Sequence, residues 1–408
     1  MNKTQQSVIF INYFSMGLLM PVLNLILLER GADLKTLPLL IGLYALSALV
    51  FELPSGICGD LLGRKTAFLI SAVMKLFSLT LLIAADDITL LIPCVILNGM
   101  SRAFSSGSLD ALFIEQAVET HGQECIPTVS SRLSILEAAG FAVGSILGGF
   151  ISYVGGTEGV ILVQGGLTIA VFLLCAAGIR EKKEKKEKKE RKENEKRVSL
   201  GAHLRMGQEA VISSGSLKYV LLGMFFTGLL ISSIETYWQP VYLEVSVLKD
   251  ATWTLGLVSF MGFFLSAMGN AASEKLLIKY PFGQWKIYGI CRLSFSLILV
   301  ILSLQTNTPG FLLGYAGFYL FHGMGNVAEN TLINQYTPNH IRASILSLSS
   351  FVFQLGCLSA SLASSFLAVR IPIQGIWKLS GNLCFIFLII LLVQVGKRNK
   401  TIINPITP

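Results

Sequence analysis

Twelve apolar runs, each about as long as a bilayer is thick, follow one another from the first residues to the last. They cover residues 7–29, 37–57, 66–85, 89–112, 132–154, 160–179, 217–240, 252–278, 286–304, 309–336, 343–367 and 376–396, with ends good to a few residues. A helix needs about 20 residues to cross hydrocarbon. A closed barrel needs short alternating segments, and these runs are too long and too uniformly apolar for that. The chain is 53% hydrophobic and 14% charged, with mean hydropathy +0.66, far from a soluble domain. The pattern predicts an all-α integral membrane protein with 12 transmembrane helices in two pseudo-symmetric six-helix bundles.

The polar segments divide the chain. Residues 1–179 form an N-terminal six-helix bundle, 180–216 a charged linker, 217–396 a C-terminal six-helix bundle and 397–408 a tail. The run EKKEKKEKKERKENEK has almost no apolar residue and cannot bury a face, so it is a solvated helix or a disordered tether. Eleven of the 32 Lys and Arg residues lie between Arg180 and Arg197. The net charge of +8 therefore describes a loop attracted to anionic lipid, not a nucleic-acid partner. Arg64, Lys65, Lys275, Lys279, Lys286, Arg342 and the Lys397–Lys400 tail fall on one side with the linker, which makes that side and both termini cytoplasmic. Seven scattered cysteines form no metal or disulfide framework, and no Walker loop or nucleophile constellation is present. No enzyme activity, cofactor or metal is expected.

Between spans two and three lies GICGDLLGRK, residues 56–65, a glycine-punctuated turn that holds three charges close to the membrane. Gly56-x-x-x-Asp60-x-x-Gly63-Arg64-Lys65 matches the loop signature G-x-x-x-D-x-x-G-R-K/R without a mismatch. On these residues the chain resembles the major facilitator superfamily over essentially its whole length, and more narrowly the superfamily's twelve-span drug/proton antiporters. The resemblance implies a gate. Asp60 would meet the start of span eleven near Ala343 and Ser344, where a helix N-terminus favours an anion. Arg64 would pair with an acid at the cytoplasmic end of span four, with Asp110 as first choice and Glu115 in reserve. The alternative is a turn that serves topology alone.

Span five carries Gly140-x-x-x-Gly144-Ser145-x-x-Gly148-Gly149, similar to the antiporters' G-x-x-x-G-P-x-x-G-G but with Ser145 in place of proline. The departure weakens the expected kink and bears on antiport against symport. Glycines four apart also serve plain helix packing. In span four Arg102 precedes Gly107 by one residue more than the family's Arg-x-x-x-Gly. An intramembrane cation needs an interior partner, and the resemblance ties Arg102 to proton coupling.

Intramembrane carboxylates are the candidates for carrying a proton: Glu52, Asp110, Glu137, Glu235 and Glu329. Glu329 has the strongest claim, because His322, Asn326, Glu329, Asn330 and Asn334 share one face of span ten. Such a stripe lines a cavity or joins helices, since it would not face lipid. Glu235, Tyr237 and Trp238 end span seven as an aromatic cluster beside an acid. It suits planar, apolar or cationic compounds, and equally an aromatic belt at the membrane surface.

The sequence thus predicts a monomeric secondary transporter of the plasma membrane. Its partners would be lipid, protons and a small hydrophobic or amphipathic compound exported against protons. A proton symporter importing a polar metabolite, or a non-transporting receptor or scaffold on the same fold, are the alternatives.

Overall fold

The computed structural model describes residues 1–106, 108–179, 181, 216–248, 252–280, 283–337 and 342–403. Most of the expected linker and the end of the tail lie outside that set. The described elements are helical: α1 (Lys3–Leu19), α2 (Leu23–Glu29), α3 (Thr36–Leu62), α4 (Arg64–Ala84), α5 (Ile88–Ser105), α6 (Ser108–His121), α7 (Ile126–Gly178), α8 (Leu217–Val245), α9 (Trp253–Lys279), α10 (Gln284–Leu302), α11 (Thr308–Tyr336), α12 (Arg342–Leu367) and α13 (Ile373–Ile403).

Local chemistry sets these boundaries. Asn2 opens α1 with a capping box, its Oδ1 accepting from the Gln5 N–H while Gln5 Oε1 accepts from the Asn2 N–H, both at 2.8 Å. Pro21 cannot continue the hydrogen-bond ladder, and α1 and α2 meet at a bend of 48°. Asp87 caps α5 through the Thr89 N–H at 2.9 Å, and Asn307 caps α11 through the Gly310 N–H at 2.8 Å. The 53 residues of α7 would extend about 80 Å as one rod, more than twice the hydrocarbon thickness. Gly156, at φ 68°, breaks it into the expected fifth and sixth spans.

Among the described residues, eight helical stretches are long and apolar enough to cross a membrane, nine when α1 and α2 count as one, with α7 entered as a single stretch. The long helix α11 is not among them, because the polar stripe read from the sequence lowers its hydropathy. Large apolar side chains face outward as well as inward, and many small polar ones are enclosed. Phe77, Leu162 and Leu313 are 62%, 64% and 76% exposed, whereas Ser145, Gln164, Ser273 and Ser296 are fully enclosed. Lipid is as apolar as Leu, so large side chains can face outward while polar groups must find partners inside.

The chain divides into two compact units, Met1–Lys183 with Leu248–Met261, and Glu184–Val247 with Gly262–Pro408. In the first, α1 packs along α7 and α4 along α5; in the second, α8 packs along α12 and α10 along α11. First span with fifth, and third with fourth, is thus the pairing in both units. The α1–α7 seam is close enough to require glycine. A Cβ on Gly148 would lie 1.9 Å from the Leu18 carbonyl oxygen, and one on Gly144 2.4 Å from that of Phe14. Gly140 meets the Phe14 nitrogen in the same way at 2.8 Å. Gly149 faces Gly256 at the start of α9, within the first unit. Ser145 bonds back to the Ala142 carbonyl at 3.0 Å, and α7 runs through it without a non-helical dihedral.

Candidate functional site

The GICGDLLGRK segment folds as the last turns of α3, a single Gly63 between helices, and the first turn of α4. Gly63 adopts φ +100°, a left-handed conformation that side chains rarely tolerate. Arg64 Nη2 lies 2.8 Å from Glu115 Oε1 on α6, with side chains 30% and 52% exposed. This corrects the expected pairing with Asp110. Asp110 stands in the first turn of α6 and takes a 3.5 Å hydrogen bond from Tyr13 of α1, whereas Glu115 lies one and a half turns further along toward Arg64. The expected fourth span is itself two helices, α5 ending at Ser105 and α6 beginning at Ser108. Gly56 sits in open surroundings, with nothing within 4 Å of where a Cβ would be. The side chains of Asp60, Ala343 and Ser344 lie outside the described set, and with them the expected contact between them.

Within the first unit, Arg102, Asp110 and Glu137 are all within electrostatic range of Tyr13, and Glu137 of both other charges. The three charges therefore share one neighbourhood around Tyr13. Glu52 is exposed on α3. Lys75, which belongs to none of the motifs read from the sequence, stands eleven residues into α4, and its Nζ donates to Asn98 Oδ1 on α5 at 2.8 Å. An inventory of intramembrane cations, made beside that of carboxylates, would have found it.

The second unit holds the most enclosed charges. Arg292 of α10 and Glu329 of α11 are 1% and 4% exposed. Arg292 Nη2 lies 3.0 Å and Nε 3.2 Å from Glu329 Oε2, and Nη2 also donates to Asn326 Oδ1 at 2.9 Å. Asn326 Nδ2 lies 3.0 Å from His322 Nε2, which extends the chain of contacts one turn further along α11. Tyr288 and Phe295 flank the guanidinium, with ring centroids 5.9 and 5.8 Å from Cζ. Gly325 makes room for it, since a Cβ there would meet Nη1 at 2.7 Å. The stripe on α11 thus divides. His322, Asn326 and Glu329 join Arg292, while Asn330 is exposed and its carbonyl receives the side chain of Asn334 at 2.9 Å. Arg292 was missed for the same reason as Lys75, although its place in the ninth span was visible.

The end of α8 forms a second enclosed group. Glu235 accepts a short hydrogen bond from the Tyr319 hydroxyl of α11. Trp238 lies 5.3 Å from Tyr315, and Tyr315 4.6 Å from Tyr319, between ring centroids. Tyr237 and Trp238 are 0% and 2% exposed. They are interior residues, which corrects the reading of an aromatic belt at the membrane surface. Tyr237 also presents no surface to a cavity in this conformation; only the neighbouring Glu235 is partly open.

An intramembrane ion pair inside an all-helical, twofold-repeated fold, with a charged turn between spans, defines a membrane transporter. The profile of the Major Facilitator Superfamily matches residues 7–358, and the chain belongs to that family. It is similar to the multi-drug resistance efflux pump PmrA of Streptococcus pneumoniae, 23% identical over 397 residues, 93% of this chain and 91% of that protein. It is also similar to the uncharacterized MFS-type transporter YxaM of Bacillus subtilis, 19% identical over 346 residues, 84% of this chain and 83% of that one. Among solved structures, the nucleoside transporter NupG superposes with TM-score 0.78 at 12% identity, covering 96% of this chain and 99% of that one. A POT family peptide transporter gives 0.73 at 11%, covering 96% of each chain. These likenesses are to the fold. The protein is therefore a multi-pass membrane transporter of a small molecule, built as twelve spans in two six-helix halves.

Proposed function

We propose that the protein exports a small hydrophobic or amphipathic compound across the plasma membrane in exchange for protons. It would do so by alternating access, as a monomer with both termini cytoplasmic. The observation that carries this reading is the enclosed Arg292–Glu329 pair. A carboxylate whose charge partner is a single guanidinium, in a site without bulk water, is a two-state element. While Glu329 is ionised it holds Arg292; once it is protonated, the charge attraction is gone and Arg292 keeps Asn326 and the flanking rings of Tyr288 and Phe295. Proton occupancy thereby becomes a change in how α10 and α11 are tied. The first-unit cluster of Arg102, Asp110 and Glu137 offers a second place for the same exchange.

For the cargo, Glu235 with Tyr319, Tyr315 and Trp238 combines an acid with aromatic faces, which supports a planar or cationic amphiphile. Outward direction is supported by the likeness to the Streptococcus pneumoniae efflux pump PmrA. Import of a polar metabolite with protons is the second reading, favoured by Lys75. That ammonium stands near the midpoint of α4, bonded to a neutral amide, and would suit an anionic cargo. Arg292 does not add to this reading, because its fork is engaged by Glu329 and Asn326.

Inside-out vesicles with an imposed proton gradient separate the readings. Ethidium-class cations that enter and release protons support export. Co-accumulation of an acidic metabolite with protons in right-side-out vesicles supports import. Neither, across a broad compound library, would leave a receptor or scaffold.

A further inference from the structure

The α3–α4 turn is held by a residue that no motif contains. Glu181, the first acid of the charged run, places its carboxylate over the start of α4. Its Oε1 accepts from the Arg64 N–H at 2.7 Å and its Oε2 from the Lys65 N–H at 3.1 Å. In return, Lys65 reaches the end of α7, where its Nζ donates to the carbonyls of Ala176 and Ile179, both at 2.7 Å. A carboxylate thus covers a helix N-terminus while an ammonium covers a helix C-terminus, and each end receives the sign its orphan backbone groups favour. Gly63 fits this arrangement twice over: its φ of +100° suits glycine, and a Cβ there would lie 2.6 Å from Glu181 Oε2. The three consecutive residues Gly63, Arg64 and Lys65 therefore all meet Glu181, and Lys65 also meets the end of α7. All four hydrogen bonds lie within the first unit.

We propose that Glu181 is a positioning residue of the GICGDLLGRK turn, fixing the junction of α3 and α4 against the root of the linker so that the turn and the end of the sixth span move as one body. The arrangement leaves the Arg64 side chain directed to Glu115. Glu181 would thus set the reach of that ion pair without belonging to it. This inference stands independently of what drives transport and of the cargo.

The test uses the full chain in lipid nanodiscs and needs no substrate. Hydrogen exchange is measured at the amides of Arg64 and Lys65 in wild type, Glu181→Ala, Glu181→Asp and Glu184→Gln. The last variant removes one carboxylate from the same run and serves as the charge-matched control. Exchange at those two amides is expected to rise about tenfold in Glu181→Ala and to return most of the way in Glu181→Asp. It should match wild type in Glu184→Gln. In parallel, the rate at which a membrane-impermeant maleimide labels Cys58, with the other six cysteines replaced by serine, reports the placement of the α3 end. It is expected to change severalfold in Glu181→Ala alone. Wild-type exchange in Glu181→Ala overturns the proposal. So does faster exchange with unaltered Cys58 labelling, which would reduce Glu181 to a local helix cap. Should Glu181→Ala fail to insert, Lys65→Met removes the other half of the clamp, and unaltered Cys58 labelling there would equally overturn it.

Discussion

Arg292 and Glu329, 37 residues apart in sequence, meet inside the second unit at 3.0 Å with side chains 1% and 5% exposed. Breaking one side of such a pair strands a charge at a cost of about 3–5 kcal/mol, whereas replacing both with apolar residues of similar size is often neutral. Glu329→Gln and Arg292→Met are each expected to lower the thermal unfolding midpoint of the detergent-purified protein. The double variant Arg292→Met/Glu329→Leu should recover most of that loss. Gradient-driven transport is expected to be lost in all three. A double variant as unstable as the sum of the singles would contradict this account.

The Arg64–Glu115 pair is half-open to solvent, so its contribution to stability is small, about 0–1 kcal/mol. Arg64→Gln and Glu115→Gln should therefore melt close to wild type and share one transport defect. Asp110→Asn should instead resemble Tyr13→Phe, because that is the contact Asp110 makes. Transport rates grouping Asp110→Asn with Arg64→Gln would restore the pairing expected from sequence.

Gly148 lies against the Leu18 backbone with no room for a methyl group. Overpacking of this kind costs about 1–3 kcal/mol where side chains can yield, and here the obstacle is main chain. Gly148→Ala should reduce the yield of folded protein and lower its midpoint. Gly56→Ala, with nothing within 4 Å, should leave both unchanged. Size-exclusion yield and thermal melting check both.

Trp238 and Tyr319 are expected to fail differently. Trp238→Ala opens a cavity in the second unit and should destabilise by about 3–5 kcal/mol. Tyr319→Phe removes only the hydroxyl that holds Glu235, so it should raise KM for a cationic substrate with the midpoint nearly unmoved. A KM unchanged by Tyr319→Phe would remove Glu235 from the cargo site.

The spans were legible because a bilayer permits little else. Any backbone crossing it must satisfy its own hydrogen bonds, so apolar length reads directly as helix. The tight charged turn between spans two and three and the break in α7 were legible for similar reasons, although α3 runs on to Leu62 and leaves Gly63 alone between the helices. Pairings were not. Asp110 and Glu115 are both acids at the cytoplasmic end of one apolar run, and only the interruption between Ser105 and Ser108 and the placement of Tyr13 assign them different partners. Tyr237 and Trp238 fit a membrane-surface belt and an interior cluster equally well until α11 is seen to cover them.

By itself, then, the sequence determined a twelve-span transporter of the Major Facilitator Superfamily, its charged turn, and which helix faces are polar, since these follow from local periodicity and from the solvent in which the chain folds. Only the tertiary structure decided which charges neutralise one another. Within EKKEKKEKKERKENEK every glutamate looks alike, and it is the fold that brings Glu181 to the start of α4. Likewise Arg292, unremarked among apolar neighbours, becomes the counter-ion of Glu329. Electrostatic energy depends on separation in space to within an ångström or two, and separation along the chain carries almost none of that information.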